Sequence, residues 1–136
     1  MSDLQPVVGA VVFSPVMPYS QGMVTDDLVF PAGQIGVDTE GELTGPGVYE
    51  QTAQALANLR AVLEAAGSSL ARVIKVNGYL TSESLWPDYN RAYVEAFGDH
   101  RPARTTVGVA FLANGALVEI EAIALKGEAS GAITAR

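Results

Sequence analysis

The sequence predicts an α+β domain: a mostly antiparallel, mixed sheet with two helices packed on one of its faces. Three observations carry that expectation. Two long segments repeat apolar residues at helical spacing, and several shorter ones alternate apolar and polar residues at strand spacing. The two kinds follow each other as strands, helix, strand, helix, strands, an order that gathers helices on one side of a sheet. Composition does not divide the chain. Of its 136 residues 49% are hydrophobic and 17% charged, which suits one core rather than two. We therefore read residues 1–136 as a single domain, with 127–136, small residues without a period, as a flexible tail.

Taken in order, residues 7–13 are β-branched and apolar and read as a first strand, stopped by Ser14-Pro15. Asp26-Asp27 marks a turn before the apolar run 28–30, and 31–37 continue as an irregular strand. The polar segment 38–47, with Gly41, Gly45 and Gly47, reads as a surface loop. Residues 49–66 form the clearest helix. Thr52, Leu56, Leu59, Leu63 and Ala66 make its apolar stripe, Gln51, Gln54, Arg60 and Glu64 fall outside it, and Gly67 ends it.

Residues 72–81 alternate Ile74, Val76, Gly78 and Leu80 against Val73, Lys75, Asn77 and Tyr79, a strand in which Gly78 admits a close neighbour. Ser84 is placed to cap a second helix, with Pro87 in its first turn, Leu85, Tyr89, Tyr93 and Phe97 as its ridge, and Gly98 at its end. Last come segments 104–112 and 116–125 around Asn114-Gly115. That pair between β-patterned runs predicts an antiparallel hairpin, because a type I′ turn needs positive φ at both central residues. Arg104, Thr106 and Gly108 share one face of its first arm. Glu119 and Glu121 point away from Val118, Ile120 and Ala122 on the second. An arginine and two carboxylates thus enter an apolar hairpin on its charged face.

Composition also narrows the chemistry. A net charge of −7 disfavours a surface that tracks phosphates, so no nucleic-acid partner is expected. The absence of cysteine removes disulfides and thiolate sites, and the lone His100 offers none of the common zinc spacings, so no metal site is expected. No glycine-rich run matches a phosphate or dinucleotide loop, and neither Lys75 nor Lys126 sits in a Schiff-base motif. The N-terminus has no basic stretch followed by a long apolar run, so no membrane contact is expected and the protein is read as cytoplasmic. General acid–base and electrostatic chemistry by Arg, Glu, Tyr and backbone groups is what remains, and it needs no cofactor.

For Arg104 two readings stand. It pairs with an acid across the strands, a surface ornament worth little. Or its fork clamps a small carboxylate while a glutamate nearby moves protons. Because the sheet has a face that no further element covers, oligomerisation is the economical way to bury it.

Four blocks carry a resemblance. Pro102-Ala103-Arg104-Thr105-Thr106-Val107, followed by Val118-Glu119-Ile120-Glu121-Ala122-Ile123-Ala124, resembles the C-terminal signature of the RidA/YjgF/UK114 family of enamine and imine deaminases. Pro18-Tyr19-Ser20-Gln21, Ala32-Gly33-Gln34-Ile35 and the helical Asn90-Arg91-Ala92-Tyr93-Val94-Glu95-Ala96-Phe97 are similar to three more of its blocks, in the same order, over nearly the whole chain.

The resemblance implies a chorismate-mutase-like homotrimer with clefts between subunits. It implies hydrolysis of 2-imino or 2-enamino acids to 2-oxo acids and ammonia, as in a 2-iminobutanoate/2-iminopropanoate deaminase. By the same resemblance Arg104 binds the substrate carboxylate, Glu119 activates water, and Tyr19, Gly33 and Asn90 line the cleft. Thr106, expected as a further substrate-binding residue, stands where the family often has a cysteine, and Gly108 replaces a common acid. Phe111-Leu112-Ala113-Asn114 replaces a basic, proline-containing turn, which leaves the substrate side chain open. Three other functions stay open on sequence: a non-catalytic regulatory trimer that binds 2-oxo acids, a pathway deaminase for a bulkier, aminomuconate-type enamine, and an endoribonuclease, which the acidity disfavours.

Overall fold

The computed structural model describes residues 4–127, so the expected tail from residue 128 onward lies outside the described residues. Seven strands form one sheet: β1 (Gln5–Pro6), β2 (Gly22–Val24), β3 (Leu28–Pro31), β4 (Gln34–Ile35), β5 (Val73–Leu80), β6 (Ala103–Gly108) and β7 (Val118–Leu125). The two helices are α1 (Val48–Ala65) and α2 (Trp86–Phe97). Sheet order is β1-β2-β3-β7-β5-β6, with β4 pairing β7 beside β3. All pairings are antiparallel except β5 with β6. The expected α+β class, with a mixed sheet and two helices, is the one observed.

The core lies between the helices and one sheet face. Leu56, Leu59, Val62 and Leu63 of α1 and Tyr89 of α2 are buried with Val76, Leu80, Val118, Ile120 and Ala124 of the central strands. The α1 stripe behaves as its spacing requires, with one correction: Gln51, expected outside it, is buried. Its amide donates to the Gly45 carbonyl and its oxygen accepts from the Leu117 N–H, both at 2.8 Å. Buried Asn58 likewise donates to the carbonyls of Ile35 (3.1 Å) and Val37 (2.9 Å). A buried amide is tolerated only when its groups are paired, and here the pairing ties two loops to the helix. Those ties fix residues 35–37, which form one wall of the cleft described below.

Three local expectations are corrected. Residues 7–13 are not a strand; the ladder with β2 is Gln5–Pro6, the Val7 N–H adds one bond to the Gly22 carbonyl at 2.8 Å, and Val7 and Val12 are buried beyond it. A short 3₁₀ turn, Glu83–Leu85, precedes α2, and Ser82 rather than Ser84 caps it by accepting from the Ser84 N–H. Most consequentially, residues 104–112 and 116–125 are not a hairpin. β6 and β7 flank β5 on opposite sides, β6 parallel to it and β7 antiparallel.

Asn114 and Gly115 do take the positive φ values expected of them, 59° and 70°. They do so in a 3₁₀ turn within a longer connection. The pairing was decided elsewhere: β5, α2 and β6 form a crossover unit, which places β6 parallel beside β5 before the chain returns. β5 then offers its other edge to β7.

Candidate active site

The sheet register sorts the candidate residues into two groups. Val76 pairs with both Arg104 and Ala122, and Gly78 with both Thr106 and Ile120; these positions face the helices. Asn77 pairs with Thr105 and Glu121, and Tyr79 with Val107 and Glu119; these face away from the helices. Arg104 and Glu119 therefore lie on opposite faces of one sheet. The shared charged face expected of a hairpin disappears with the hairpin, and no cross-strand pair joins Arg104 to Glu119 or Glu121. Among the described residues Arg104 has no carboxylate partner; the ion pair there is Arg91 with Asp88, at the surface.

On the helix side, Arg104 rests half-buried against α2. Its guanidinium lies 4.7 Å from the ring centre of Tyr93 and 5.1 Å from that of Tyr89. Cation–π contacts of this kind are worth about 0.5–2 kcal/mol, and they hold a planar fork more firmly than a flexible ammonium. Burial pushes the Tyr93 hydroxyl up to about 12, so the tyrosine stays neutral beside the cation. Tyr89 is fully buried and shares a 2.9 Å hydrogen bond with the Thr106 hydroxyl.

The close neighbour expected at Gly78 is this tyrosine: a Cβ there would lie 2.1 Å from the Tyr89 hydroxyl. Asn90 is half-buried on the same helix. Helical spacing alone makes Tyr89 and Tyr93 packing residues; their role in carrying Arg104 depends on the parallel register of β6, which no local pattern discloses.

On the other side stand Glu119, Gly33 and Tyr19. Gly33 touches the glutamate so closely that a Cβ there would lie 2.3 Å from Glu119 Oε2. Glu119 is half-buried, and its carboxyl is raised above the ordinary glutamate range, by burial first and by the Glu121 charge second. Beside it a cleft of about 170 Å³ is lined by Val12, Phe13, Tyr19, Gly33, Ile35 and Asn114 among others. Tyr19 stands at the cleft with 62% of its surface exposed.

Gln21, unassigned on sequence beyond its block, clips the outer wall of this cleft. It donates to the Ala10 carbonyl (3.0 Å) and the Ser14 hydroxyl (2.7 Å), and accepts from the Ala10 N–H (3.1 Å). His100 is structural: its Nε2 bonds the Val73 carbonyl at 2.7 Å. Among the described residues no group of three or more His, Cys, Asp or Glu is arranged to hold a metal ion, and no helix is long and apolar enough to cross a membrane.

Fold and site together define a small α+β domain that presents an arginine fork on one sheet face and a half-buried acid on the other. The chain belongs to the YjgF/RidA family, whose model, described as Endoribonuclease L-PSP, matches residues 10–126. It is 45% identical over 113 residues to a RutC family protein of Pyrococcus horikoshii, covering 82% of this chain and 90% of that one. It is 38% identical over 111 residues to the 2-iminobutanoate/2-iminopropanoate deaminase of Homo sapiens, covering 81% of each. Among solved structures, RidA from an Antarctic Psychrobacter superposes with a TM-score of 0.83 at 37% identity, covering 89% of this chain and 98% of that one. E. coli TdcF with bound serine superposes with a TM-score of 0.84 at 31% identity, covering 90% and 98%.

Proposed function

We propose that this protein is a homotrimeric deaminase that hydrolyses 2-imino acids, or their enamine tautomers, to 2-oxo acids and ammonia. The observation that carries the reading is Arg104: a half-buried guanidinium on a two-tyrosine platform with no carboxylate partner among the described residues. Its planar fork matches a substrate carboxylate with two parallel, charge-assisted hydrogen bonds. Relatives named as imine deaminases, at about the same similarity over most of the chain, agree with that chemistry.

Because Arg104 and Glu119 occupy opposite faces of one sheet, the site is completed between copies, Arg104 of one subunit facing the cleft beside Glu119 of another. Water bound at Glu119 gives a proton to the carboxylate as its oxygen bonds to the imine carbon and the C=N π pair moves to nitrogen. Glu119 returns the proton to that nitrogen to give the carbinolamine. It then takes the hydroxyl proton and delivers it to the nitrogen as the C=O bond forms and the C–N bond breaks, so that ammonia leaves the 2-oxo acid. Such proton relay is worth about 10²- to 10⁴-fold. The side chain carried by the substrate would enter the cleft between Val12, Phe13 and Ile35, apolar walls that suit an aliphatic group.

The test is release of ammonia and 2-oxo acid from a panel of freshly generated 2-imino acids by wild type, Glu119→Gln and Arg104→Ala. Both variants should lose turnover. Glu119→Gln should keep its affinity for pyruvate or 2-oxobutyrate, while Arg104→Ala should lose on the order of ten- to a hundredfold. Wild-type turnover by Glu119→Gln would remove Glu119 from the mechanism. Binding of 2-oxo acids without ammonia release by the wild type would instead favour the regulatory trimer. The ribonuclease activity in the family's description finds less support here, since a net charge of −7 opposes approach of RNA.

A further inference from the structure

Glu119 and Glu121 are two residues apart on β7, so their side chains leave the same face about 7 Å apart along the strand. Across from them on β5, Tyr79 is in register with Glu119 and Asn77 with Glu121. The tyrosine hydroxyl does not meet the acid opposite it. It reaches diagonally and donates to Glu121 Oε2 at 2.7 Å, and the Asn77 amide donates to the same oxygen at 3.2 Å. Glu119 instead has the backbone of Gly33 against its carboxylate. Two chemically identical side chains therefore sit in divided environments. One has its charged form held by two donors, and the other is half-buried against a glycine.

We propose that Glu121 is a positioning residue for the proton chemistry of Glu119. With its carboxylate oxygen engaged by Tyr79 and Asn77, it leaves Glu119 as the carboxyl that holds and moves the proton. A separation of two titratable groups by their surroundings is how one site assigns an acid and a base. The direction of the perturbations agrees: burial and the Glu121 charge both raise Glu119, and donation to Glu121 pushes the Tyr79 hydroxyl up to about 12, so it stays a donor at any working pH. Lys75, next along this face of β5, is engaged by the Thr105 hydroxyl at 2.8 Å. Gly33 and Ile35, the residues packed or paired with Glu119 from the β3–β4 side, bring no charge, and Arg104 of the same chain is on the other face. The gain is basicity. A carboxylate in the ordinary range is too weak a base to take a proton from water efficiently, and a raised one is better matched to neutral pH.

The inference rests on Glu119 as the proton carrier, and its test separates the two ideas. Side-chain carboxyl carbons are followed by ¹³C NMR across pH in the assembled wild type, Glu121→Gln and Tyr79→Phe, with Glu119→Gln giving the assignment. Removing the Glu121 charge should move the Glu119 midpoint to lower pH, and the acid limb of kcat/KM for imine hydrolysis should follow it. Tyr79→Phe keeps the ring and removes the donor that holds the Glu121 carboxylate in place, so the Glu119 midpoint should move in the same direction and by less. Should Glu121→Gln fail to fold, the tyrosine variant alone decides. Unmoved midpoints in the folded variants overturn the proposal. Activity surviving in Glu119→Gln, with the midpoints moving as stated, overturns the mechanism and leaves the electrostatic coupling standing.

Discussion

Glu119 is an acid placed where its charge is costly. Burial and the neighbouring Glu121 raise its carboxyl above the reference value of 4.5, so the native protein keeps a proton there that the unfolded chain has already lost. The sign of the linkage follows. A carboxyl raised by folding contributes stability below its unfolded pKa, and that contribution is lost as pH rises through the folded value. Glu119→Gln removes the charge and keeps the shape, so at pH 7.5 the variant should melt above wild type. Below about pH 4, where the unfolded chain is protonated too, the difference should vanish. Thermal melts at the two pH values check this. A variant that melts lower at pH 7.5 would mean that Arg104 of the neighbouring subunit, facing the same cleft, outweighs burial and the Glu121 charge.

At the scale of elements, β5 organises the molecule. It has β7 on one edge and β6 on the other, so it sets both the face that Glu119 uses and the face that Arg104 uses. Gly78 is its sensitive point. A Cβ at this position would lie 2.1 Å from the hydroxyl of fully buried Tyr89, which has no room to retreat. Gly78→Ala should cost about 1–3 kcal/mol through overpacking. It should also weaken 2-oxo acid binding, because Tyr89 carries Arg104. Gly108, near the end of β6, is the control: a Cβ there meets nothing closer than 3.8 Å, so Gly108→Ala should melt and bind like wild type. Equal loss in both variants would show that strand backbone, and not the tyrosine notch, is what matters.

At the scale of the whole molecule, both helices cover one side of the sheet. On the other side Phe30 and Val107 are 39% and 44% exposed beside the polar row of Asn77, Tyr79, Glu119 and Glu121. A second copy is the economical cover for such a face, and the division of Arg104 from Glu119 asks for one. Light scattering at micromolar concentration should return roughly three times the 14.2 kDa chain mass. A monomer that still hydrolyses imines would end the idea of a site shared between subunits.

Periodicity alone determined the two helices, because a stripe such as Leu56, Leu59 and Leu63 can be buried only one way. It also determined β5, including the close approach at Gly78, since a glycine in an alternating strand has few other uses. The positive φ of Asn114 and Gly115 was legible too, being a property of those two residues. Which strands pair was not. A turn signal acts over four residues, whereas the position of β6 depends on α2 crossing the sheet and on β5 having two free edges.

With the pairing went the geometry of the site. Spacing along β6 and β7 told which residues share a face within each strand, and it left open how the faces of different strands combine. Only the register of β5 with both neighbours put Arg104 with Tyr89 and Tyr93, and Glu119 with Gly33 on the far side. Local sequence sets the conformation of each segment, and the free energy of burying one common sheet face decides how the segments combine.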